Sequence, residues 1–297
     1  MTNENQTGYD MKDTLIWYAR KSQGLTNIRP SELSFLAKMY RDRRSMDSNK
    51  ERRVPLIQKR INYGKVENPE LEQLDKYDIE NVLFLFPDNA VDRSILDKIS
   101  WAKPLWFARA SIGTGVPVPT GVSSDAISPT AIIPGYTNYY LDESGKLRAS
   151  IELYQLDNSL PDSVRRAVHT EALAHEFAHT IIAPALYGDQ KLKLPNGDIV
   201  NGEEYLMDIG MKAEKKIPIS HYAEAYRDFS AKEGLPYEIM NGDKKTAISE
   251  ELAETIAGIV LPFALHNPQQ IPNKDSHLAN RREIVSGLEN FLNAERV

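Results

Sequence analysis

The sequence contains no cysteine among its 297 residues. A thiol nucleophile, a cysteine-ligated zinc site and a disulfide framework are therefore all excluded. Histidine is also scarce, with six residues, so a bound metal ion must be held by a few histidines together with aspartate or glutamate. Two of the six, His175 and His179, stand four positions apart.

Long apolar runs are absent as well. No segment approaches the roughly 20 apolar residues that span a bilayer, and the polar N-terminus does not resemble a secretory signal. We therefore expect no membrane association and a cytoplasmic protein by default, with delivery as an effector as the alternative. The net charge of −6 argues against a nucleic-acid partner. The sequence has no phosphate-binding loop or Gly-x-Ser-x-Gly turn, and it does not define the oligomeric state.

The character of the sequence changes along the chain. Residues 1–95 are strongly charged and predict a mainly helical N-terminal region of unknown role. Residues 96–297 predict a second unit, which starts with two strands at 131–141 and 147–156, joined by a turn at 142–145. Helices are predicted at residues 161–182, 203–215, 221–233, 248–265 and 276–294. Strands followed by helices indicate an α+β domain with a small mixed or antiparallel sheet.

The run His175-Glu176-Phe177-Ala178-His179 carries the clearest chemical signal. Imidazoles four residues apart on a helix lie one above the other and can share one tetrahedral zinc ion. Glu176 is rotated by about 100° around the helix axis, where it can accept a proton from a metal-bound water. The pattern predicts hydrolysis by a zinc-activated water, with Glu176 as the general base.

The third metal ligand is less clear from the residues alone. A third histidine on the same segment is excluded, because the positions three and six residues after His179 are Ile182 and Ala185. Without cysteine, the third ligand must be a histidine, aspartate or glutamate from another segment. One candidate is Glu204, which has Asp208 four positions later on a predicted helix. The remaining histidines at positions 169, 266 and 277 are interpreted as surface or capping residues.

A second acidic candidate lies on the helix predicted at 248–265. The run Glu250-Glu251-Leu252-Ala253-Glu254 resembles the ligand helix of the gluzincins, a group of zincin metallopeptidases, in the Glu-x-x-Ala-Glu form of lethal-factor-like members. The resemblance implies a zincin-like catalytic domain with Glu250 as the third zinc ligand. It also implies that Glu254 orients a ligand histidine. Glu250 is preferred over Glu204, because its helix is apolar enough to be buried.

The resemblance extends to a group that binds the oxyanion. The run Ser220-His221-Tyr222-Ala223 resembles the Ser-x-Tyr-Ala element of that family, which implies this role for Tyr222, with His221 as the alternative. Zincins also bind peptides along a sheet edge, and residues 147–156 are the expected edge, with 150–154 lining the cleft.

These patterns predict a zinc endopeptidase that acts on a peptide or protein substrate. The alternative is a regulatory protein, in which the helical N-terminal region binds a partner or nucleic acid and is fused to a peptidase-like domain. Its support is a group of basic residues between positions 41 and 60, interleaved with acidic ones. Such a mixed segment is more typical of a solvated helix.

Overall fold

The computed structural model describes residues 73–74, 76–102, 135–156, 162–219, 243–261 and 281–297. These residues form an α+β structure, as predicted. The helices are α1 (Lys76–Leu83), α2 (Asp88–Arg93), α3 (Asp162–Tyr187), α4 (Gly202–Glu214), α5 (Asp243–Val260) and α6 (Arg282–Leu292). The strands are β1 (Leu96–Ala102), β2 (Gly135–Leu141), β3 (Leu147–Tyr154), β4 (Lys191–Lys193), β5 (Ile199–Asn201) and β6 (Glu295–Arg296).

The larger sheet is mixed and has the strand order β1-β3-β2. Strand β3 pairs in parallel with β1 and antiparallel with β2. The prediction that residues 147–156 form the free edge is therefore wrong, because both sides of β3 already carry ladder hydrogen bonds. Among the described strands, β2 is the edge that lies beside α3.

The β2–β3 hairpin forms where the sequence predicts it. Asp142 Oδ1 accepts hydrogen bonds from the backbone N–H groups of Ser144 and Lys146, at 2.9 and 3.0 Å. Gly145 has a φ of +75°, a conformation that favours glycine over residues with a Cβ. The turn fixes the register in which Tyr139 lies opposite Ala149. One face of β2 is thereby directed towards α3.

Helix α3 is tied to the sheet just after its second histidine. Pro184 lies inside the helix and has no N–H group, so it leaves the carbonyl of Thr180 without its usual helical donor. The backbone N–H of Ile95 donates to that carbonyl at 3.1 Å, while the Ile95 carbonyl accepts from Ala149 at 2.9 Å. Ser94 and Thr180 also share a hydrogen bond between their hydroxyls, 2.7 Å long. Ile95 therefore connects α3 to the start of the parallel pair.

One continuous core surrounds α3. Phe177, which is 1% exposed, contacts the ring of Phe86 edge-on at a centroid distance of 4.7 Å. Burial of such a ring contributes about 2–3 kcal/mol. Residues of α1 and α2 belong to the same core, so the described residues just before position 95 pack with those after it. The division at residue 95 stays a prediction, because residues 1–72 lie outside the described part of the chain.

Helix α5 packs against both α3 and α4. Its approach to α4 depends on Gly210, where an added Cβ would lie 2.4 Å from Ile248 Cγ2. On α5 itself, Ala253 and Ala257 are buried. These small residues allow the helices to come close enough for their polar side chains to meet.

A smaller sheet, in the order β5-β4-β6, joins the C-terminal residues to the turn after α3. Within the described residues, the helices are too short or too polar to cross a membrane.

Candidate metal centre

Three side chains from two helices converge on one point. His175 Nε2 and His179 Nε2, both on α3, lie 3.0 Å apart. Glu250 Oε2, on α5, lies 3.2 Å from the first nitrogen and 3.3 Å from the second. The three groups are buried and close enough to bind one metal ion. Glu250 thus occupies the position expected of the third ligand.

Glu204, the competing candidate, lies elsewhere. It is exposed in the first turn of α4, where its backbone N–H donates to the Asn201 side chain at 3.1 Å. It does not belong to the cluster that the described residues form around His175. The physical reason is that Glu204 lies on the exposed side of α4, whereas α5 directs Glu250 towards α3.

The separations between the three atoms match those of a metal site. Ligands bonded to a tetrahedral zinc ion at about 2.0–2.1 Å lie about 3.3 Å from one another. Glu250 Oε2 is buried without a hydrogen-bond partner among the described residues. Three such polar atoms at this spacing are stabilised by a metal ion or by protons shared between them. The cluster therefore fits a metal ion.

The ligand types restrict which metal can bind. Magnesium and calcium prefer sites made of oxygen atoms, and two imidazole nitrogens do not suit them. Two nitrogens and one carboxylate oxygen are typical of zinc and of neighbouring transition metals. The residues present thus fit zinc chemically without identifying the ion.

The charges around the cluster also favour a cation. Burial alone would lower the pKa of His175, but its contact with Glu250 and the carboxylates of Glu254 and Glu176 together raise that pKa. Burial alone would raise the pKa of Glu250, but the imidazoles of His179 and His175 lower it. The pocket therefore stabilises positive charge on its nitrogens and negative charge on its oxygen.

Glu176 points from α3 towards strand β2. The Thr137 hydroxyl donates to the Glu176 carboxylate, with 2.7 Å between Oγ1 and Oε2. The same hydroxyl lies 3.1 Å from the backbone carbonyl oxygen of Glu176. Gly135 makes the close approach possible, since a Cβ there would lie 3.1 Å from Glu176 Cγ. A hydrogen bond from strand β2 thus orients one carboxylate oxygen of Glu176, the predicted base.

Each histidine also contacts α5 through its Nδ1 atom. His179 Nδ1 lies 3.0 Å from the Ser249 hydroxyl. His175 Nδ1 lies 3.9 Å from Glu254 Oε1, which is an ionic contact and too long for a hydrogen bond. The orienting role predicted for Glu254 stays a prediction.

A buried ion pair anchors α5 beside the cluster. Arg281 Nη1 lies 2.5 Å from Glu251 Oε1, and both side chains are almost completely buried. The same guanidinium donates to the carbonyl of Ile217. Removal of one partner from such a pair leaves a buried charge and is strongly destabilising. Glu251 therefore fixes the helix that carries Glu250.

Three tyrosines interact with residues of the cluster, and the sequence analysis did not select them. Burial and the charges of Glu176 and Glu250 raise the pKa of Tyr136. Tyr187, at the end of α3, is 46% exposed as a residue, and partial desolvation of its hydroxyl together with the charge of Glu250 raises its pKa to about 12. Tyr139 donates to the carbonyl of His179 at 3.4 Å. The predicted residues Tyr222 and His221 lie outside the described part of the chain.

One interpretation from the sequence is wrong. His169 was expected at the surface or in a cap, but it is completely buried. Its Nε2 donates to the carbonyl of Tyr154 at 2.9 Å, and its ring meets Trp101 edge-on at 5.0 Å. The sheet covers this side of α3, and that burial lowers the pKa of His169 to about 4. His169 is a core residue.

The sequence analysis did not select Thr137 or Ser249 as functional residues. Thr137 is on the predicted strand next to the metal helix, and Ser249 directly precedes Glu250. Only the packing of β2 and α5 against α3 shows which atoms they contact. Comparisons with protein-family models, with curated proteins and with solved structures found no match to this chain.

Proposed function

We propose that the chain is a zinc-dependent endopeptidase with a zincin-like, gluzincin-type catalytic domain. The observation that carries the proposal is the buried triangle of His175, His179 and Glu250, with Glu176 next to the first ligand. A structural zinc site has its four positions filled by the protein. Within the part of the chain that the structure describes, three side chains would hold the ion and would leave a position for water or substrate, and a structural site has no use for the neighbouring carboxylate.

The three ligands have distinct tasks in this proposal. The two imidazoles supply neutral nitrogen ligands, and Glu250 supplies one negative charge, so a divalent ion keeps a net positive charge in the pocket. Zinc bound there would lower the pKa of its water towards about 7 and polarise the scissile carbonyl. The two imidazoles are buried, with exposures of 8% and 7%.

Glu176 acts as the general base and then as an acid. Its carboxylate accepts a proton from the attacking water and delivers it to the leaving amine. Thr137 donates to Oε2, so Oε1 is the atom that takes the proton. The amide is hydrolysed without a nucleophile from the protein.

A further donor is needed for the oxyanion that develops on the carbonyl carbon. Tyr222 is proposed for this role, and His221 is the alternative. A phenol with a normal or raised pKa stays protonated at neutral pH and can donate throughout the reaction.

The substrate is proposed to be an extended peptide. An edge strand binds such a chain by main-chain hydrogen bonds, with side-chain pockets that give selectivity. Because β3 is central, the peptide is placed along β2, which also contacts Glu176 through Thr137. The same strand then positions both the substrate and the base.

The test combines metal analysis with peptide cleavage in three proteins: the wild type, Glu176→Gln and His175→Ala. About one zinc per chain is expected in the wild type and in Glu176→Gln, and much less in His175→Ala. Cleavage of a peptide library is expected from the wild type alone. The glutamine introduced by Glu176→Gln keeps the size of the side chain and can still accept from Thr137, so a loss of cleavage there reports the missing base.

Two results would contradict the proposal. Cleavage that persists in Glu176→Gln would remove the base from the mechanism. A wild type that binds zinc but cleaves no peptide in a broad library would argue for a metal-binding protein with a different activity.

A further inference from the structure

Ser249 directly precedes Glu250 on α5 and contacts a ligand histidine. Its hydroxyl oxygen lies 3.0 Å from His179 Nδ1, and both side chains are buried, with exposures of 5% and 7%. A buried contact of this length is a normal hydrogen bond.

The direction of this bond follows from the other side of the ring. His179 Nε2 faces His175 and Glu250, so it must present a lone pair if a metal ion is to bind. A neutral imidazole carries its single hydrogen on the other nitrogen. Nδ1–H therefore donates, and the Ser249 hydroxyl oxygen accepts.

Without this acceptor, both neutral tautomers of His179 are unfavourable for metal binding. The ring can keep hydrogen on Nδ1, which leaves a buried donor unpaired at a cost of about 1–3 kcal/mol. Alternatively, it can move the hydrogen to Nε2, which then cannot bind a metal ion. Either choice weakens metal binding, although the three ligand residues are all present.

We propose that Ser249 is a positioning residue that sets the tautomer and orientation of His179 for metal binding. The inference rests on the metal-binding part of the proposed function and does not depend on peptide hydrolysis. Ser249 reaches His179 Nδ1 at hydrogen-bond distance, and Glu254 Oε1 lies 3.9 Å from His175 Nδ1.

The position of Ser249 couples two tasks. It directly precedes Glu250 on one helix, so a single placement of α5 delivers both a ligand and the acceptor for another ligand. Partners of ligand histidines typically change metal affinity by 10–100-fold when they are mutated. A change of that size is expected from loss of the hydroxyl alone.

The experiment measures zinc affinity by competition with a chromophoric chelator in Ser249→Ala, Ser249→Thr and the wild type. Ser249→Ala is expected to bind zinc at least about 10-fold more weakly, and alanine is well tolerated in a helix. Ser249→Thr keeps the hydroxyl and is expected to restore most of the affinity. The matched control is Thr255→Val, because Thr255 is buried on the same helix and donates to the Glu251 carbonyl.

A second measurement reads the tautomer directly. Nitrogen-15 NMR of the imidazoles in the zinc-bound protein is expected to show hydrogen on Nδ1 of His179. In Ser249→Ala, the Nδ1 signal is expected to shift because its hydrogen-bond acceptor is gone. A purely structural role for Ser249 would leave that signal unchanged.

The outcomes separate the two proposals. Equal zinc affinity and an unchanged His179 signal in Ser249→Ala would overturn the role of Ser249 while leaving the metal site intact. An equal loss of affinity in Ser249→Ala and Thr255→Val would show a general effect of α5 and would also overturn it. A wild type that binds no zinc would contradict the proposed function itself.

Discussion

Thr137 donates its hydroxyl hydrogen to Glu176, with 2.7 Å between Oγ1 and Oε2, and thereby joins the edge strand to the proposed base. Thr137→Val removes the hydroxyl and keeps the shape of the side chain. We expect zinc content to stay near one per chain and kcat to fall roughly 10-fold, because the carboxylate loses its fixed orientation. Cleavage of a peptide that the wild type cuts, measured beside zinc content, checks this.

The control for this prediction is Thr137→Ser, which keeps the donor and loses only a methyl group. It should stay within about threefold of the wild-type kcat. Equal activity in the valine variant and the wild type would mean that the contact does not orient the base.

The choice of Glu250 over Glu204 as a ligand gives a second prediction. Glu250→Gln replaces the carboxylate by a neutral amide and is expected to weaken zinc binding more than about 100-fold. Glu204→Gln makes the same chemical change at an exposed site and should leave the affinity unchanged. Chelator competition measures both. A comparable loss in the two variants would show that the cluster is not the binding site.

The close approach of α4 and α5 gives a third prediction. Gly210→Ala places a methyl group 2.4 Å from Ile248 Cγ2, and we expect it to destabilise the fold by about 1–3 kcal/mol. It should also weaken zinc binding, because Ile248 lies two residues before Glu250. Urea denaturation and chelator competition measure the two effects.

A double mutant tests the cause. Ile248→Ala removes the atoms that the new methyl group would meet, so Gly210→Ala combined with Ile248→Ala should be less destabilised than the sum of the single changes. Strict additivity would show that the two residues do not compete for the same space.

Buried His169 gives a prediction about pH. Its pKa in the folded protein is about 4, below the usual value of 6.5, so between these values the unfolded chain binds a proton that the folded chain does not. The contribution of neutral His169 to the free energy of unfolding is therefore complete above pH 6.5. It is lost on acidification, at up to about 1.4 kcal/mol per pH unit. Urea denaturation of the metal-free protein from pH 7.5 to 4.5 measures the slope.

His169→Gln is the matched variant, because its amide can donate to the Tyr154 carbonyl in place of Nε2. It should reduce the number of protons that the chain takes up on unfolding by about one. The other titrating groups stay the same. Identical pH slopes in the two proteins would exclude His169 as the source.

The sequence predicted the local elements of the site better than their arrangement. Helical spacing placed His175 and His179 on one face, which follows from short-range periodicity. Glu250 was expected from the resemblance to the gluzincin ligand helix, and the apolar character of its helix favoured it over Glu204. The central position of β3 could not be predicted in this way, because its parallel partner β1 precedes it by about 50 residues and has no turn signal linking the two.

Longer-range contacts escaped prediction for the same reason. His169 is six residues from His175 and looks like any polar position on a helix; only the sheet packed over it makes it a core residue. Ser249 contacts His179 across 70 positions of chain, and a serine in a helix has no pattern that indicates such a partner. These contacts depend on how elements pack.

The proline within α3 has a mechanical consequence. Because Pro184 frees the Thr180 carbonyl for Ile95, the strand ladder is bonded to the residue that directly follows His179. Hydrogen bonds thus connect the segment that carries the imidazoles to the sheet, in which β2 is the edge strand opposite β1. An extended peptide bound along β2, as proposed, would contact the same ladder that is bonded to Thr180, so its binding is expected to shift the helix that carries the proposed metal ligands.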